Sequence, residues 1–78
     1  MGISLNNCKK IEACFQENFP KSKIKKYDRK IDGSFESMSV TVESIDRYAL
    51  KALGKLIEEV GNSLTIKRSG TKVNISFW

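Results

Sequence analysis

Six basic side chains, Lys21, Lys23, Lys25, Lys26, Arg29 and Lys30, fall within the ten-residue stretch KSKIKKYDRK, with one aromatic ring, Tyr27, among them. Cations at this density are suited to neutralising a run of phosphates or carboxylates, with an affinity that falls as salt rises. Extended, the stretch reaches about 30 Å, enough to touch several phosphates at once. Tyr27 adds a ring on which an unpaired base can stack. A smaller group, Lys67, Arg68 and Lys72, extends the same field if its segment folds beside the first.

The entire net charge of +5 is local to this stretch. It holds six basic residues and one acid. Residues 1–20 balance Lys9 and Lys10 against Glu12 and Glu17, and residues 31–78 hold six basic and six acidic side chains. Lysines outnumber arginines five to one in the stretch. Lysine is a point charge rather than a planar reader of phosphates and base edges, so the expected binding is without sequence specificity. Lysines on a strand also have a plainer use, the protection of a sheet edge against aggregation.

Other chemistry is poorly supplied. The chain has no histidine, so the usual proton shuttle near neutral pH is missing, and a nucleophilic thiol would lack its customary base. Asp28, Asp32, Glu36 and Glu43 fall along one segment, but no motif pairs two of them as acid and base. Cys8 and Cys14 stand six residues apart, about 120° from each other around a helix, which predicts free, packed thiols rather than a disulfide. A structural zinc would need two further ligands. Gly33 and Gly70 belong to no phosphate-cradling fingerprint. The expectation is a protein that is not an enzyme, with no metal and no small-molecule cofactor.

The elements that must position the basic residues follow from periodicity. Cys8, Ile11, Phe15 and Phe19 share one helical face ahead of Pro20, which predicts a first helix over residues 6–18, capped by Ser4 or Asn6, with Leu5 folded back as an apolar staple. Met38, Val40 and Val42 then alternate with Ser37, Ser39 and Thr41, and Asp32-Gly33 marks a tight turn between this strand and a wet, lysine-rich one that reads as a sheet edge. A second helix opens at Ser44 as cap. It carries the stripe Ile45, Tyr48, Ala49, Ala52, Leu53, Leu56, Ile57 and Val60, and ends at Gly61. Gly54, inside it, is expected to mark a close crossing. Leu64 and Ile66, then Val73, Ile75 and Phe77, form a last hairpin about Ser69-Gly70. Each half of the chain is thus a helix followed by a glycine-turn hairpin.

Seventy-eight residues make one domain, 1–78. The fold expected is α+β, in the order α-β-β-α-β-β, with a four-stranded antiparallel sheet and both helices packed on one face. No apolar run approaches the length of a membrane span and no secretory signal or myristoylation pattern is present, so a cytoplasmic protein with no membrane partner is expected. The functional expectation is a small non-catalytic module whose basic hairpin, residues 21–30 with Lys67, Arg68 and Lys72, contacts nucleic acid. The alternative is a small regulatory or inhibitory protein, of the kind viruses and mobile elements carry, that docks on an acidic protein surface. Trp78, whose parity puts its indole on the solvent side of the last strand, would anchor that interface, and a homodimer would use the same features.

Overall fold

The computed structural model describes residues 2–28 and 35–78. The expected Asp32-Gly33 turn, together with Arg29 and Lys30, lies outside the described residues. The order is α1 (Leu5–Asn18), β1 (Ile24–Asp28), β2 (Phe35–Val42), α2 (Arg47–Val60), β3 (Leu64–Ser69) and β4 (Lys72–Phe77). The four strands form one antiparallel sheet in the order β1-β2-β4-β3, flanked by the two helices as the periodicities predict.

The core is a single cluster between the helices and one face of the sheet. Cys8, Ile11 and Phe15 of α1, with Phe19 just beyond it, and Ala49, Leu53, Leu56 and Val60 of α2 bury against Met38, Val40 and Val42 of β2 and Ile75 and Phe77 of β4. The Phe15 ring meets both Phe19, at 6.4 Å between centroids, and Phe77, at 5.8 Å, in tilted arrangements that aromatic pairs favour. Ile3 is fully buried and exchanges backbone hydrogen bonds with Phe35, tying the start of the described chain to the sheet.

Several local expectations are corrected. Ser4 caps α1 by accepting a hydrogen bond from the Asn7 backbone N–H, but Leu5 is the first helical residue and stays 57% exposed. The staple is Ile3, which immediately precedes the cap and is buried in the same cluster as Cys8 in the first turn. At α2 the cap is Asp46 rather than Ser44. Its carboxylate accepts from the Ala49 N–H at 2.8 Å, where a negative charge also meets the positive end of the helix dipole. Tyr48 is 76% exposed, because it lies about 100° around the helix from Ala49 and falls outside the buried stripe. Gly54 is exposed, and a Cβ there would meet nothing within 4 Å, so it marks no close crossing. Gly61, by contrast, takes the left-handed φ of 69° expected of a helix end, and its N–H donates to the Ile57 carbonyl.

The halves echo each other in space as well as in order. β2 and β4 pair at the centre, with Val40 opposite Ile75, and each half adds its own edge strand outside. Ile24 pairs with Val40 as Ile66 pairs with Ile75, so β1 and β3 occupy equivalent places and Lys25 stands where Lys67 stands. The equivalence is incomplete in burial: Ile66 remains 44% exposed at its edge. Two asparagines close the end where the helices meet the sheet. Asn7 Nδ2 donates to the Val60 carbonyl at 3.0 Å and to Asn62 Oδ1 at 3.3 Å, while Ser63 and Trp78 exchange both backbone hydrogen bonds.

These assignments predict unequal effects of similar changes. Asp46→Ala should cost about 1 kcal/mol in urea unfolding, whereas Ser44→Ala should stay within about 0.5 kcal/mol of the parent. Gly54→Ala should raise the urea midpoint, stabilising the fold by up to about 1 kcal/mol, since the helix gains propensity and the methyl group meets open space.

Candidate nucleic-acid interface

The face of the sheet turned away from the helices is built by strand alternation. With Met38, Val40, Val42, Val73, Ile75 and Phe77 committed to the helices, their neighbours Ser37, Ser39, Thr41, Lys72, Asn74 and Ser76 must face the other way. The register then lines up four strands side by side. One row runs Lys25, Ser39, Ser76, Thr65, and the next runs Thr41, Asn74, Lys67. In these rows small polar side chains occupy the two central strands, Lys25 and Lys67 stand on the two edges, and Lys72 adds a cation at the start of central β4. Asn74 Nδ2 bonds Thr41 Oγ1 at 3.1 Å across the central pair, fixing two members of this surface.

Both candidate rings lie at one end of it. Tyr27 pairs with Ser37, and Trp78 continues β4 by its backbone pairing with Ser63. The indole Nε1 donates to Thr65 Oγ1 at 2.8 Å, so the Trp78 ring lies over the β3 side of the same face. The rings are half exposed, 51% for Tyr27 and 52% for Trp78. At the opposite end, a cleft of 390 Å³ is bounded by Lys21, Ser22, Lys23, Thr41, Val42, Glu43 and Lys72. Glu43 is its acid, 3.7 Å from Lys72 and well exposed, a separation at which water and salt screen most of the attraction.

The basic residues singled out in the sequence are therefore divided. Lys21, Lys23, Lys25, Lys67 and Lys72 fall on the open face or in the cleft at its end. Lys26 does not: it pairs with Met38 in the register, forms an ion pair with Glu12 of α1 and lies 5.9 Å from the centre of the Phe35 ring. Arg68 has the parity of Leu64 and Ile66 and thus belongs to the helix side of β3. The sequence gives no sign of one local irregularity. Asp28 pairs with Phe35 and Tyr27 with Ser37, so Glu36 is an extra residue in β2 that bulges the ladder beside Tyr27.

The other concavities offer less chemistry. A groove of 350 Å³ between the outer sides of α1 and α2 balances Lys10 and Lys55 against Glu17 and Glu59 and exposes part of Cys14. Burial raises the Cys14 thiol above its ordinary pKa, which a hydrogen bond from Asn18 only partly offsets, so this thiol is a poor nucleophile near neutral pH. Cys8 is buried in the core. Among the described residues no group of three or more acids and cysteines is placed to hold a metal ion, and no helix is long and apolar enough to cross a membrane.

Comparison with protein-family models, with curated proteins and with solved structures finds no match to this chain. The surface itself carries the functional argument.

The Cys14 assignment is checked by alkylation. At about pH 8 iodoacetamide should modify Cys14 several-fold more slowly than it modifies a free cysteine peptide, with the rate still rising well above pH 9. Because the thiol is held protonated in the folded chain, its contribution to stability is present at neutral pH and is lost as pH rises beyond the unfolded thiol's pKa through the higher folded value.

Proposed function

We propose that this protein is a non-catalytic binding module that contacts nucleic acid through the open face of its sheet, without sequence specificity. The observation that carries the reading is that five lysines from four separate places in the chain fall on one face of the sheet or in the cleft at its end: Lys21 and Lys23 before β1, Lys25 in β1, Lys67 in β3 and Lys72 in β4. The basic segment of residues 21–30 supplies three of them, and the second hairpin adds Lys72 at the cleft and Lys67 at the opposite edge of the sheet. Edge protection alone accounts for Lys25 and Lys67 but not for Lys72, which lies on a central strand. Affinity on such a surface comes from phosphate neutralisation and counterion release.

A second reading, docking on an acidic protein surface, is favoured by the exposed indole of Trp78, an anchor of the type found at interface centres. It makes a different demand: removal of the ring should abolish binding, while loss of one lysine should chiefly slow association.

The test is a salt titration of labelled single- and double-stranded oligonucleotides followed by anisotropy. With five lysines engaged, the logarithm of affinity should fall with the logarithm of salt at a slope of up to about −3.5 for a single strand. Lys25→Gln, Lys67→Gln and Lys72→Gln should each weaken binding and reduce that slope by about 0.7. Lys26→Gln and Arg68→Gln, on the far face, should do so much less. Affinity independent of salt would reject the reading, as would equal effects of all five substitutions.

A further inference from the structure

We infer, resting on the nucleic-acid reading above, that the open face takes single-stranded rather than duplex nucleic acid, with unpaired bases stacked on Tyr27 and Trp78 and the backbone led towards the lysine cleft at the other end. Two half-exposed rings lie at one end of this face and the lysine cleft at the other, with Lys25 and Lys67 on the edges between them. Tyr27 stands on β1 opposite Ser37 and Trp78 follows the end of β4 at the same end of the face, so about 10 Å, two strand spacings, separates their strands, and the indole turns further away, onto Thr65 of β3. Ser37 to Thr41, from that end to the edge of the cleft, is a further ~13 Å along β2. A strand crossing the sheet from rings to cleft thus meets stacking surface first and clustered charge last, passing between Lys25 and Lys67.

A duplex fits this layout poorly. Four strands span about 15 Å between the outer backbones before side chains are added, too wide to enter a major groove about 12 Å across. A duplex laid over the face would satisfy lysines with its phosphates, but its bases stay stacked within the helix. Bringing one to Tyr27 or Trp78 means extruding it at a cost of a few kcal/mol. A single strand already has its bases free, and each stacked base strengthens binding whatever its identity. The Trp78 indole is also held in place by its hydrogen bond to Thr65, so little ring freedom is lost on stacking.

Trp78 is the chain's one tryptophan, so its emission reports directly on this end of the face. The experiment titrates the full chain, at about 50 mM salt, with ten-residue oligo-dT, oligo-rU, a duplex of equal length and inorganic polyphosphate, reading tryptophan fluorescence and anisotropy together. The expected result is that a single strand, deoxyribose or ribose, quenches Trp78 and binds at least tenfold more tightly than the duplex. Polyphosphate should bind more weakly and leave the emission unchanged. Tyr27→Ala and Trp78→Leu, each checked for an unaltered fold by circular dichroism, should lower single-strand affinity about tenfold while leaving polyphosphate affinity within twofold. Duplex binding as tight as single-strand binding, or single-strand binding without quenching and without loss in the ring variants, would overturn the single-strand inference and leave the nucleic-acid reading standing. Absence of binding to all four probes would overturn both.

Discussion

The fold depends on the antiparallel pairing of β2 with β4. That ladder is the seam between two helix-hairpin halves, and Val40 opposite Ile75, flanked by Met38 opposite Phe77 and Val42 opposite Val73, forms the floor on which both helices rest. Phe15 reaches it from α1 to meet Phe77, and Leu53 joins the same cluster from α2. Because side chains alternate along a strand, a slip of one residue would turn this whole apolar set outward. Burial of six central side chains therefore sets the composition of the opposite face as well. Ser39, Thr41, Asn74 and Ser76 face that side as a consequence of the core's register, Ser39 itself buried among its neighbours.

Two helices can cover only one face of a four-stranded sheet, and their cover is thinnest over the edges. At β3 this leaves Ile66 44% exposed on the helix side, while at β1 the Lys26 ammonium sits over the Phe35 ring and pairs with Glu12. The same edges expose unpaired backbone groups, which lysines protect. Lys25 and Lys67 meet that need at equivalent positions in the two halves. A surface selected only for edge protection would end there. This one adds a lysine on central β4, further lysines at a cleft, and two rings on the face that no helix covers, and Lys72 and Trp78 lie off the edge strands.

Much of the architecture is legible in the sequence because it follows from period alone. Cys8, Ile11, Phe15 and Phe19, the alternation at Met38, Val40 and Val42, and the glycine at Gly61 each announce their element without reference to the rest of the chain. What is not legible depends on partners distant in sequence. Ile3 is a single apolar residue with no periodic companions, and only its bridge to Phe35 reveals it as core. Tyr48 fits the apolar stripe by residue type, and its exposure reflects where α2 sits on the sheet. Asn7 and Asn62 look like ordinary surface amides until the helix ends are brought together. At the candidate site, the sequence identifies the lysines but not their sides. Parity within β1 separates Lys25 from Lys26, whereas the union of Lys25 with Lys67 and Lys72 needs the strand order β1-β2-β4-β3, which no local pattern encodes.

The chemistry of the open face also bears on how selective its proposed interaction is. Base sequence is read best by arginine against guanine and by asparagine or glutamine against adenine, through paired hydrogen bonds. Among the described residues neither is offered here: Arg68 belongs to the helix side of β3, and Asn74 spends its amide on Thr41 and, at 3.5 Å, on the Val40 carbonyl. The remaining groups are lysines, which act as point charges, and rings, which accept any base with a π face. Thr65, a hydroxyl beside Trp78, already receives its indole proton. A face made of these parts has the means to hold a strand but few means to tell one sequence from another. On the proposed reading, selectivity falls instead on strand state, because an unpaired base is what the rings would reach.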